Sequence, residues 1–141
     1  MLGDAQQILT LSHSASVVRV LLEAAPDARV AVAEPRPGLE GRRVVEILQN
    51  AGRDVRMITD AAMVPAMPEC DLVLLGADSI TADGAAVNKD GSRLAALAAA
   101  QRERPCFVAA YLSKINPRVT AEAVALEGME PEEAWPERAE V

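Results

Sequence analysis

Short apolar runs alternate with longer amphipathic stretches along most of this chain. Ile8-Leu9-Thr10-Leu11 is too short for a helix and reads as a strand, whereas Ser14 to Ala25 sets Val17, Val18, Leu21 and Leu22 on one side of a helix. Arg29 to Ala33 predicts a second strand. Leu39 to Asn50 predicts a helix carrying Val44, Val45, Ile47 and Leu48 and stopped by Gly52. Val55 to Thr59 is the third strand, and Asp60 is placed to cap a short helix running through Met67. Leu72 to Leu75 is the fourth strand, Arg93 to Gln101 a helix and Cys106 to Ala110 the fifth strand. Glu34-Pro35-Arg36-Pro37-Gly38 must be a loop, because each proline pushes its predecessor out of the α region. After Ser113 the pattern fades: Lys114 to Pro117 reads as loop, Val119 to Leu126 as weakly helical, and Glu127 to Val141 is acidic and broken by proline.

Strands alternating with helical crossovers predict an α/β fold: Rossmann-like and doubly wound, with a mainly parallel sheet and helices on both faces. Right-handed crossovers would gather the strand ends Ser12, Glu34, Thr59, Asp78 and Tyr111 along one edge. In open α/β sheets ligands bind at that edge.

Composition narrows the classes. The 141 residues read as a single domain over 1–141, with an ordered core over about 5–126 and an acidic tail over 127–141. Half of the residues are apolar but only Phe107, Tyr111 and Trp135 are aromatic, so the core must be built from Ala, Val, Leu, Ile and Met. A net charge of −7 with scattered basic residues disfavours direct binding to a nucleic-acid backbone. No signal peptide and no apolar stretch of spanning length is seen, so a cytoplasmic protein without membrane contact is expected. Cys70 reads as a loop-edge thiol and Cys106 as a small buried hydrophobe. No His/Cys/Asp cluster has metal-ligand spacing, and no Gly-x-Gly-x-x-Gly follows the first strand, so neither a metal nor a dinucleotide cofactor is expected.

The residues that can carry chemistry fall at the strand ends. Gly76-Ala77-Asp78-Ser79-Ile80 follows the fourth strand, and Asn88-Lys89-Asp90-Gly91-Ser92 opens the next helix. A carboxylate, an amide, an ammonium and a helix N-terminus would suit a phosphorylated, hydroxyl-bearing small molecule. Equally, Asp78 can be a turn former, and Lys89 can pair with Asp90 or Asp78 at the surface. Thr10-Leu11-Ser12-His13-Ser14-Ala15-Ser16 is a hydroxyl-rich turn in which Ser12 or Ser14 caps a helix, and the same groups can receive a phosphate. His13 is badly placed to act as a base for Ser12 and reads as an exposed loop residue. Glu34 and Arg36 can meet a ribose hydroxyl and a phosphate, or simply be solvated on a rigid loop.

Taken in order, Ile8-Leu9-Thr10…Ser14…Val18-Arg19-Val20-Leu21, Glu34-x-Arg36-Pro37-x-x-x-Gly41, Gly76-Ala77-Asp78 to Asn88-Lys89-x-Gly91, and Val108-Ala109-Ala110…Ser113-Lys114 resemble the carboxy-terminal domain of the initiation factor 2B alpha/beta/delta family. That superfamily also contains methylthioribose-1-phosphate isomerase and ribose-1,5-bisphosphate isomerase. The resemblance implies a Rossmann-like domain whose substrate pocket is lined at the positions of Arg36, Asn88 and Lys89, with Asp78 at the aspartate used by the isomerases. Those isomerases carry a cysteine where this chain has Ser12, and a hydroxyl is a far weaker acid than a thiol. The amino-terminal helical domain of the family is read as absent, which implies a homodimer or a partner chain supplying it. The expectation is a regulatory or assembly subunit that binds a phosphorylated sugar or nucleotide through Ser12, Ser14, Glu34, Arg36, Asp78, Asn88 and Lys89, without catalysis. The alternatives are an aldose-phosphate isomerase with Asp78 as its catalytic residue, and a structural subunit with a vestigial pocket.

Overall fold

A computed structural model describes residues 3–36 and 38–124 of the chain. Five strands form the central sheet: β1 (Gln7–Leu11), β2 (Arg29–Glu34), β3 (Val55–Thr59), β4 (Leu72–Leu75) and, after two short strands, β7 (Cys106–Val108). Their order is β3-β2-β1-β4-β7 and every neighbouring pair is parallel. This is the doubly wound α/β arrangement that the alternation predicts.

The strands alternate their burial between two cores because successive side chains point to opposite faces. On one face Ile8, Val30, Val32, Leu72 and Leu74 pack with Val17, Val18 and Leu21 of α1 (Ala15–Ala24) and Val44 and Leu48 of α2 (Gly41–Asn50). On the other, Leu9, Leu11, Ala31, Ala33, Val73 and Leu75 pack with Met63 of α3 (Met63–Ala66), Met67, and Ala95, Ala98 and Ala99 of α4 (Ser92–Gln101). Small alanines on the second face let α4 lie close to the sheet, which is how a core with few aromatic residues fills its volume.

The region between β4 and α4 departs from a plain loop. β5 (Ser79–Thr81) and β6 (Ala86–Val87) form an antiparallel hairpin, and β8 (Ile115–Asn116) adds to β5 in parallel. The hairpin turns through Gly84 at φ +83°, a conformation that side-chain-bearing residues rarely adopt. The segment read as loop over Lys114 to Pro117 therefore contributes a strand, and the short helix expected from Asp60 is split into a 3-10 turn over Asp60–Ala62, α3, and a second 3-10 turn over Met67–Glu69. Pro65 and Pro68 withhold two backbone donors there, which fits the broken hydrogen-bond pattern.

Both cysteine expectations reverse. Cys70 is buried beneath the second core face, with its thiol against the Ala66 carbonyl at 3.4 Å, and burial pushes the thiol pKa up. Cys106 is exposed, because among the described residues β7 is an edge strand paired only with β4. The acidic tail over 127–141, and residues 125–126 of the expected core, lie outside the described residues.

Candidate functional site

The strand order changes direction between β1 and β4, and a cavity of about 370 Å³ opens at the carboxyl ends of these two strands. This is the switch-point crevice of a doubly wound sheet. From the β1–α1 turn come Leu11, Ser12, His13 and Ser14; from the end of β4, Gly76 and Asp78; from the hairpin exit, Asn88 and Lys89; and from the start of α2, Glu40 and Arg43. Three ten-residue helices, α1, α2 and α4, begin at this edge, so their partial positive ends lie around the crevice.

Ser12 ends β1 at φ +58°, a left-handed conformation that is costly for a residue with a side chain. Its backbone N–H still donates to Ala33 at 3.0 Å, while its buried hydroxyl turns away from the sheet and donates to Glu40 Oε2 at 2.6 Å. Ser14 has the extended backbone of an N-cap, and its hydroxyl accepts from the Val17 N–H at 3.5 Å. It also packs tightly on Gly76. A Cβ at position 76 would lie 2.5 Å from Ser14 Oγ and 2.6 Å from Ser14 Cβ, so glycine is what lets the β4 end approach α1.

The hairpin explains the spacing between Asp78 and the Asn88-Lys89 pair. The Asp78 N–H donates to the Val87 carbonyl at 2.8 Å, and Ser79 faces Val87 across the β5–β6 ladder. Ten residues of sequence thus fold back on themselves and return Asn88 and Lys89 to the side of Asp78. Asn88 Nδ2 donates to Ser92 Oγ at 2.7 Å, and that hydroxyl donates to the Lys89 carbonyl at 2.7 Å, which locks the entry to α4.

Lys89 pairs with neither Asp78 nor Asp90. Its ammonium reaches Glu40 Oε1 at 2.9 Å, so one carboxylate bridges Ser12 and Lys89. The hydrogen bond from Ser12, then that from Lys89, holds the Glu40 carboxyl below the usual carboxylate range. Glu40 is the N-cap of α2, yet its side chain makes no capping bond and is free to span the cavity. Arg43 lies in the first turns of α2 and has no ion-pair partner among the described residues.

Five of the seven predicted residues, Ser12, Ser14, Asp78, Asn88 and Lys89, line this cavity together. Glu34 and Arg36 are not among its lining residues. Glu34 is buried at the end of β2 and accepts from Arg42 Nε at 3.1 Å, because α2 starts directly above it. Arg36 is exposed on the loop beyond Pro35. Glu40, Arg43 and His13 are the lining residues that the strand-end reasoning omitted or discounted. The signal for the first two was positional: both sit at the start of a helix that follows a strand of this sheet.

Residues 1–140 match the Initiation factor 2 subunit family. The chain belongs to this family. It is 35% identical over 138 residues to a ribose 1,5-bisphosphate isomerase of Archaeoglobus fulgidus, covering 95% of this chain and 44% of that protein. It is also 35% identical over 130 residues to a putative translation initiation factor eIF-2B subunit 2-like protein of Pyrococcus abyssi, covering 89% and 47%. The solved 5-methylthioribose 1-phosphate isomerase of Pyrococcus horikoshii superposes with a TM-score of 0.81 at 29% identity, over 92% of this chain and 40% of that one. This Initiation factor 2 subunit family chain thus spans less than half the length of these relatives. Isomerases and initiation-factor-like proteins both stand among them.

Proposed function

We propose that this domain binds a small phosphorylated sugar or nucleotide in the crevice between the ends of β1 and β4, in a regulatory or assembly role. The observation that carries this reading is the make-up of the cavity wall. Arg43 and three helix N-termini favour an anionic group. Ser12, Glu40, Asp78 and Lys89 supply mixed donors and acceptors of the kind that hold sugar hydroxyls. Binding without turnover fits the chemistry at position 12. The Ser12 hydroxyl is a poor proton donor, and it is already committed to Glu40.

A second reading, aldose-phosphate isomerisation, is favoured by the similarity to proteins named ribose 1,5-bisphosphate isomerase. It is also favoured by Asp78, a carboxylate on the cavity wall with no side-chain hydrogen bond among the described residues. Isomerisation of an aldose 1-phosphate breaks the ring C1–O bond with a proton delivered to the ring oxygen, passes hydrogen from C2 to C1, and takes the proton of the C2 hydroxyl as that carbon becomes a carbonyl. Asp78 is a cavity-wall carboxylate that could exchange those oxygen-bound protons. Calorimetric titration with ribose 5-phosphate and nucleoside monophosphates tests the first reading: saturable binding with no product is expected, and no heat with any of them would sink it. Conversion of ribose 1,5-bisphosphate that vanishes in Asp78→Asn would establish the second reading instead.

A further inference from the structure

We propose that Glu40 is the specificity-determining residue of this cavity: it reserves Ser12 and Lys89 for a ligand hydroxyl and turns away a second anionic group, so the pocket takes ligands phosphorylated at one end only. The inference rests on the reading of the crevice as a sugar-phosphate pocket. It deepens that reading by assigning the two ends of the pocket.

The two cations on the cavity wall are not equivalent. Lys89 is neutralised by Glu40 at 2.9 Å, whereas Arg43 has no ion-pair partner among the described residues. An anionic group therefore gains a full opposing charge at Arg43. At Lys89 it must first dislodge a carboxylate or lie beside it. Hydrogen-bond types reinforce the difference. Ser12 and Lys89 donate and Glu40 accepts, and a hydroxyl, which does both, can satisfy all three. A phosphate dianion only accepts, and it confronts Glu40 as acceptor against acceptor and like charge against like.

The arrangement is built rather than incidental. Of the three non-glycine residues with positive φ among the described residues, two bracket this contact: Ser12 at +58° and Leu39, immediately before Glu40, at +52°. Both strained backbones orient the partners of the 2.6 Å Ser12–Glu40 bond. The titratable and charged groups around the Glu40 carboxylate are Lys89 from the hairpin exit, Arg43 on its own helix, His13 from the β1–α1 turn, and Asp78 on the β4 side of the cavity. Glu40 and Lys89 retain 43% and 40% side-chain exposure, so solvent screens their pair and limits the effect of removing it to about three- to tenfold.

The test compares ribose 5-phosphate with ribose 1,5-bisphosphate by titration calorimetry at constant pH and ionic strength. The wild-type chain is expected to bind the monophosphate at least as tightly as the bisphosphate. Glu40→Gln keeps the side-chain shape and should tighten the bisphosphate about three- to tenfold, while the monophosphate, whose hydroxyl loses a charged acceptor, should not tighten. Lys89→Met in the Glu40→Gln background should erase that gain. An equal shift for both ligands, a preference of the wild type for the bisphosphate, or weaker bisphosphate binding in Glu40→Gln would overturn the assignment while leaving the sugar-phosphate pocket standing. Absence of binding by either ligand to both proteins would overturn the assignment, and absence of binding by nucleoside monophosphates as well would remove the pocket with it. Thermal melts of each variant separate lost binding from lost fold.

Discussion

Thr10 is the fourth residue of β1, 1% exposed, and its hydroxyl has no hydrogen-bond partner among the described residues. By strand alternation it faces the same side as Ile8, toward α1 and α2, where Val17 and Val44 are packed. A buried, unsatisfied hydroxyl costs about 1–3 kcal/mol, and valine has nearly the same shape without that cost. Thr10→Val should therefore raise stability by about 1 kcal/mol, seen as a higher urea midpoint at unchanged slope. A midpoint at or below that of the wild type would mean the hydroxyl is satisfied. Asp71 is the opposite case: its Oδ2 accepts from the N–H groups of Gln6 and Gln7 at 2.8 and 3.0 Å and ties the loop before β4 to the start of β1. These two bonds hold its carboxyl below the usual range. A depressed folded-state pKa means that the contribution is complete above the unfolded value, about pH 4, and is lost as the pH falls through the folded value. Asp71→Ala should cost about 1–2 kcal/mol at pH 7, and the gap to wild type in chemical denaturation should narrow below about pH 4. At this scale the sequence marked Asp78, Asn88, Lys89, Ser12 and Ser14 because each follows an apolar run or opens a helix. It could not mark Glu40 as the partner of Lys89, since that contact spans 49 residues and forms only once α2 and the hairpin exit are brought to the same edge of the sheet.

Among the elements, α1 shows how a helix end is completed from elsewhere in the chain. It has no basic residue in its last turn and closes on Ala25 rather than glycine. Arg53, just after α2, instead extends one guanidinium nitrogen to the carbonyls of Leu21 at 2.7 Å and Ala25 at 2.8 Å. A charged donor on two end carbonyls satisfies acceptors that the helix cannot and complements its negative end. Arg53→Met keeps much of the apolar stem and should lose about 1–2 kcal/mol, with hydrogen exchange rising first in the last turn of α1. Uniform exchange along α1 would place the loss elsewhere. The main elements were legible because burial on both faces forces unbroken apolar runs into the parallel strands, and one-sided burial forces stripes on the helices. The β5–β6 hairpin was not, because Ser79-Ile80-Thr81 and Ala86-Val87 are too short and too mixed in burial to show a period. Its turn is held instead by a local bond, Thr81 Oγ1 donating to Asp83 at 2.5 Å, and by a distant one, the Ala121 N–H donating to the same carboxylate.

For the molecule as a whole, the two edges of the main sheet differ in what they present. β3 ends one side with a partly exposed Met57, but its Arg56 is paired with Glu69 at 2.7 Å, so that edge carries charge. β7 ends the other, paired among the described residues only with β4, and carries an exposed Val108. Leu97 on α4, 59% exposed, and Leu112, 85% exposed, follow on the neighbouring segments, with Tyr111 exposed between β7 and β8 and Ile115 exposed at the start of β8. Soluble monomers rarely leave an unpaired strand beside several large apolar side chains, since joining a second surface there gains both ladder hydrogen bonds and apolar burial. The net charge of −7 opposes close approach of two copies, so association should strengthen with salt rather than weaken. Sedimentation equilibrium of this chain at micromolar concentration should therefore show reversible self-association that increases between low and moderate ionic strength. Leu97→Lys combined with Leu112→Lys should return it to monomer, without loss of helix signal in circular dichroism. Association that survives both substitutions would move the contact to the β3 edge, and a monomer under all conditions would mean that the β7 edge is closed within the chain itself.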